Sequence, residues 1–135
     1  MTGIPTAAES KLAQIVLRNL GLRAVDPEFK FFDTESHWTL TFEWDGAGVD
    51  SNENLSLVEV EDGPINDWHI QTHLSRLAIM QGRGEHIARL VWVVPNHSLS
   101  TLRDTVDSWI AFFSPILKIA FPKMQYYSPD GVESS

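Results

Sequence analysis

The run I87-A-R-L-V-W-V-V94, interrupted only by Arg89, is the longest near-continuous apolar stretch of the chain and limits the fold more than any other segment. A strand with apolar side chains on both faces has no side to offer water, so it predicts a central strand covered by a layer above and a layer below. Pro95 ends it, because a proline has no N–H to give to a ladder.

Helices must supply those layers. Leu12, Ile15, Val16 and Leu20 fall on one stripe of a helix that starts at Ala7 and ends near Gly21, with Glu9 in its first turn, where the helix dipole favours an acid. N66-D-W-H-I-Q-T-H-L-S-R-L-A-I-M-Q81 reads as a second helix. Asn66 caps it, Ile70, Leu74, Leu77 and Ala78 face inward, and His69, Gln71, His73 and Arg76 lie nearer the polar sides. G82-R-G84 stops it. A third helix carries Leu99, Leu102, Val106, Trp109, Ile110 and Phe113, with Thr101 and Asp104 as a capping-box pair and Pro115 ending it within a residue or two.

Between these helices lie segments of strand character. Arg23 to Pro27 reads as a connection, E28-F-K-F-F-D33 and the strand H37-W-T-L-T-F-E-W-D45 as a hairpin, and G46-A-G-V-D-S-N-E-N54 as a flexible loop. The strand L55-S-L-V-E-V-E61 follows, and I116 to Tyr127 adds a last short strand with a turn at Pro122. The order predicts one α/β domain over residues 7–127, a central mixed β-sheet flanked by helices, with 1–6 and 128–135 as flexible termini. A length of 135 residues with 43% apolar content suits a single core.

Composition narrows the function. No stretch reaches the ~20 apolar residues of a membrane span and no signal sequence opens the chain, so a cytoplasmic protein with no membrane partner is expected. The absence of cysteine removes disulfides and thiolate chemistry. A net charge of −8 repels polyanions. Binding DNA would therefore need a bridging cation, a second subunit, or a local basic surface drawn from Lys11, Arg18, Arg76 and Arg83.

The acids at the strand ends carry the chemistry. The two-residue period puts Glu59 and Glu61 on the same side as Leu55 and Leu57, about 7 Å apart. Buried carboxylates are costly unless they meet a base or a cation. They would pair with Arg76 or Arg89, or join Asp45, at the end of its own strand, to hold Mg²⁺ or Mn²⁺ through hard oxygen ligands. Asp45 followed by Gly46 is also an ordinary turn signal. His69 and His73 have the i, i+4 spacing of a zinc-protease helix. Ile70 stands where that motif needs its glutamate, so they read as a polar helix face able to donate to a phosphate. Neither G46-A-G48 nor G82-R-G84 has the spacing or lysine of a phosphate-binding loop.

The element order, Asp45, the E59-V-E61 strand and the H73-L-S-R-L77 helix after it resemble the restriction-endonuclease-like, PD-(D/E)xK nuclease superfamily over roughly Ala7 to Trp109. The resemblance implies a restriction-endonuclease-like fold and a Mg²⁺-dependent nuclease acting on DNA. Asp45 and Glu59 would be metal ligands, and Asp45, Glu59, Glu61 and Gln71 catalytic residues, Gln71 matching the helix glutamine or lysine that approaches such sites. Glu9 would match the first-helix acid of some members. No proline precedes Asp45, and Glu61 stands where the superfamily usually has lysine. The other reading is a catalytically inactive nuclease-like scaffold or protein-interaction module, a homodimer or higher homo-oligomer through Trp109, Phe112, Phe113 and Phe121.

Overall fold

The computed structural model describes residues 5–129 and 133–134. In chain order the elements are helix α1 (Ala7–Asn19), strands β1 (Arg23–Val25), β2 (Glu28–Asp33), β3 (Trp38–Glu43), β4 (Gly46–Val49) and β5 (Leu55–Val60), helix α2 (Asp67–Gly82), β6 (Ile87–Val93), helix α3 (Leu99–Leu117), β7 (Lys123–Tyr127) and β8 (Glu133–Ser134). Six strands form the main sheet in the order β1-β4-β5-β6-β7-β8, while β2 and β3 form a separate hairpin. Pairing is antiparallel from β1 to β5 and again between β7 and β8, and parallel across β5, β6 and β7.

β6 lies inside the sheet, as its composition requires. Leu90, Trp92 and Val94 pack with Ile70, Leu74, Leu77 and Leu102 of the α2/α3 layer. Val91 and Val93 pack on the other face with Ala13, Val16 and Leu17 of α1. Both helical crossovers, β5-α2-β6 and β6-α3-β7, join parallel neighbours, which sets α2 and α3 side by side on one face.

Local signals explain most helix boundaries. Thr6 and Glu9 form a capping box at α1, Asn66 accepts from the Trp68 and His69 N–H groups at α2, and Gly21 follows α1 at φ +72°. α3 ends two residues past Pro115, with Lys118 in the left-handed conformation. Thr101 and Asp104 do not cap α3, because a 3₁₀ turn over Asn96–Ser98 leads straight into it and moves its start to Leu99.

Gly46–Val49 is a fully buried strand, against the expectation of a flexible loop. The glycines are there for close approach of α1. A Cβ on Gly46 would sit 2.8 Å from the Ala13 Cβ, and one on Gly48 2.7 Å from a Leu17 methyl. The loop shrinks to a turn in which Asp50 accepts from the Asn52 and Asn54 N–H groups. Arg23–Val25, expected as a connection, pairs with β4 as the sheet edge. The first acidic strand also stops early: β3 ends at Glu43, and Trp44 turns out of the hairpin, its N–H bonded to the Pro27 carbonyl. Of the termini set outside the domain, residues 1–4, 130–132 and 135 lie outside the described residues.

Candidate metal centre at the end of strand β5

β5 is antiparallel to β4 on one side and parallel to β6 on the other, so strand direction reverses beside it. The carboxyl end of β5 thus lies beside the start of β4 and ahead of the crossover to α2. There Asp45, Glu59 and Glu61 converge, each with less than a tenth of its surface exposed. They line one cavity of about 310 Å³ whose rim includes Glu9, Glu43, Asp62, Asn66 and His69.

The backbone fixes each acid. β4 pairs with β5 only as far as Gly46 opposite Val58, which frees the Val60 N–H, and the Asp45 carboxylate accepts it at 2.7 Å. The Asp45 N–H in turn donates to Glu59 Oε1 at 3.2 Å. Glu59 and Glu61 point into the α2 side of the sheet, where the His73 Nε2 lies 3.2 Å from Glu59 Oε2 and 3.1 Å from Glu61 Oε1. The His69 Nδ1 lies 3.8 Å from Glu61 Oε2, at the more exposed end of the cavity.

His73 corrects the sequence reading, for it is 2% exposed and belongs to the inner face of α2. Its ring sits between Trp44 and Trp92, at 6.0 and 5.7 Å between centroids. Nδ1 has no hydrogen-bond partner, so Nε2 alone makes the polar contacts. Spacing held the signal: 70, 73, 74, 77 and 80 are the i, i+3, i+4, i+7 and i+10 positions of one buried stripe. Gln71 is not drawn into the site. Position 71 follows Asp67 by one turn, and Asp67 accepts from the Trp109 indole on the side of α2 that meets α3. Gln71 is absent from the residues lining the cavity.

Neither Arg76 nor Arg89 lines the cavity. Arg89 donates to Ser56 and Gln125, and the Arg76 guanidinium lies 5.6 Å from the centre of the Phe42 ring. Among the described residues lining the cavity there is no lysine or arginine. Burial pushes Asp45 up to about 7, helped by the charges of Glu9 and Glu61 and opposed by the Val60 N–H. Burial, then the Asp45 charge, raises Glu59 well above the usual glutamate range, opposed by the Asp45 N–H and by the Arg76 charge.

A pocket of acids driven toward protonation by burial and by one another fits a cation, whose charge would replace the protons. Glu59, Glu61 and His73 each offer a ligand atom within 4.8 Å of the others. Fold and site together define an α/β protein, its mixed sheet flanked by helices, with a buried glutamate–glutamate–histidine cluster able to coordinate a divalent metal. No known protein family and no curated protein matches the chain. No helix among the described residues is long and apolar enough to cross a membrane.

Proposed function

We propose that this protein is a divalent-metal-dependent phosphodiesterase that cleaves DNA on a restriction-endonuclease-like core. One observation carries the reading: Asp45, before β4, and the Glu59–Glu61 pair, at the end of β5, open into the same cavity ahead of the crossover helix. Asp45, Glu59, Glu61 and His73 would hold the ion. Three carboxylates suit Mg²⁺ or Mn²⁺, and the imidazole shifts the preference toward Mn²⁺. When bound, such an ion supplies Lewis acidity, acidifying water and stabilising charge on a phosphate.

The protein's own groups hold this arrangement in place. The Val60 N–H orients Asp45, the Asp45 N–H orients Glu59, and His73 fixes the gap between the two glutamates. His69, 37% exposed at its side chain, is placed at the mouth to donate to a phosphate oxygen. Gln71 takes no part in this reading. Because the described lining has no lysine or arginine, a phosphodiester is repelled by the clustered acids until the cation is bound, so activity should depend on metal absolutely.

The test is cleavage of supercoiled, linear duplex and single-stranded DNA with Mn²⁺, with Mg²⁺ and with EDTA, using Glu59→Ala and His73→Ala as controls. Metal-dependent cleavage lost in both variants is expected. A folded, metal-loaded protein that cuts none of these substrates would sink the nuclease reading and leave the metal centre standing. The missing lysine favours that second reading, a catalytically silent interaction module on the same fold.

A further inference from the structure

The outer face of the α2/α3 layer has the composition of an interface. On α2 the positions turned away from the core are Trp68, Thr72, Ser75 and Ile79, at i, i+4, i+7 and i+11, with Trp68 69% and Ile79 39% exposed. On the second half of α3 they are Ser108, Ala111, Phe112, Pro115 and Ile116, with Phe112 56% and Ile116 62% exposed. The helices are aligned by the Trp109 indole on Asp67 and by the Gln81 amide on the Ala120 carbonyl, so these stripes run side by side.

None of these positions is charged, although the solvent face of a surface helix ordinarily carries charge. From Ser108 to Pro129 the chain has no acid at all, in a sequence with 18. Two of the three hydroxyls on the plate are already satisfied: Thr72 donates to the Trp68 carbonyl and Ser108 to the Asp104 carbonyl, both at 2.8 Å. Covering these two would therefore strand no donor.

We infer that this plate is the interface of a homodimer, with the α2/α3 layers of two copies packed face to face about a twofold axis. The occupant follows from charge and size. Two bodies of net charge −8 repel wherever acid meets acid, and the two stripes of this plate carry no acid, Asp67 at the end of the seam between them being engaged by the Trp109 indole. It also lacks the lysines and arginines that an anionic surface would require. The 16 residues of α2 make it about 24 Å long, and two adjacent helices about 20 Å wide. That footprint of roughly 480 Å², increased by side-chain relief, approaches the ~800 Å² per partner of a standard interface. Phe112 and Trp68 are the large exposed aromatic side chains able to anchor such a patch. The inference is independent of the catalytic reading, since no strand acid takes part.

Sedimentation velocity and light scattering over about 1 to 500 μM test it on the full chain. Wild type should be dimeric, and Phe112→Asp should raise the dissociation constant roughly a hundredfold with an unchanged circular dichroism spectrum. Ile116→Lys should do the same, and serves if Phe112→Asp fails to fold. Trp38→Asp is the control, an equally exposed aromatic (68%) on the β2–β3 hairpin, and should remain dimeric. A wild type that stays monomeric to 500 μM overturns the proposal, as does a dimer that the hairpin variant disrupts or that both plate variants leave intact. Flotation of a monomer with phosphatidylcholine vesicles would assign the plate to a lipid surface instead.

Discussion

Replacing Glu59 with glutamine should move stability in opposite directions with and without metal. The Glu59 and Glu61 ligand oxygens lie within 4.8 Å of each other. Two full negative charges at that distance repel by roughly 3.5 kcal/mol at an effective dielectric of 20. Retained protons, and His73 between the two acids, remove part of this, so relief of about 1 to 2 kcal/mol is the expected gain for the metal-free Glu59→Gln protein at pH 8. Glutamine keeps an oxygen to accept the Asp45 N–H, so the local frame survives. A domain of this size shifts by about 4 °C per kcal/mol, giving a rise in Tm of about 4 to 8 °C. Toward pH 5 the gain should shrink, because burial and the Asp45 charge favour the protonated form of Glu59. With Mn²⁺ at a hundred times its Kd, wild type should gain about 2.7 kcal/mol, roughly 10 °C, and the variant should gain almost none. Differential scanning fluorimetry at both pH values, with and without Mn²⁺, reads all four numbers. A variant that melts below wild type at pH 8 without metal and keeps the Mn²⁺ shift would refute the view that these acids are poised for a cation.

Other consequences are measurable on the same protein. Asp45 is raised from 3.8 to about 7 in the fold, so the native state binds more protons than the unfolded chain in between. Its contribution to stability is therefore lost as pH climbs from about 4 through about 7, and urea denaturation of metal-free protein should show that fall while Asp45→Asn flattens it. Metal binding should also displace protons from Asp45 and Glu59. Calorimetry at pH 6.5 in buffers of different ionisation enthalpy should give a release of about one proton or more, and no release would contradict the assignment. His73→Ala should lower Mn²⁺ affinity by a factor of ten or more and open a cavity against Trp44 and Trp92, an affinity change visible by titration calorimetry. Gly48→Ala should destabilise by about 1 to 3 kcal/mol in chemical denaturation, because its methyl would meet Leu17 and the Arg23 carbonyl.

The parts of this fold that were legible in the sequence are those where one residue type has one use. An unbroken apolar run at β6 had to be covered on both faces, and Asn66 before an amphipathic stripe had to cap a helix. The glycines at 46 and 48 had two uses. A glycine in a turn and a glycine beneath a helix look alike in sequence, and only the approach of Ala13 and Leu17 separates them. The same ambiguity hid half of the site. Asp45, Glu59 and Glu61 were visible because acids at strand ends in apolar runs demand a reason. His73 was assigned to the polar side by its type, although its position in the 70, 73, 74, 77 series put it inside. For a polar residue on an amphipathic helix, position outweighs chemistry when a buried charge waits across the gap. The carboxylates of β5 supply here the partner that makes a buried imidazole tolerable, and without them position 73 would call for leucine. The histidine is thus a consequence of the strand acids, and the two were readable only together. Glu61 then has a local reason not to be lysine, since an ammonium at that point could not accept a hydrogen bond from the His73 imidazole as the carboxylate can.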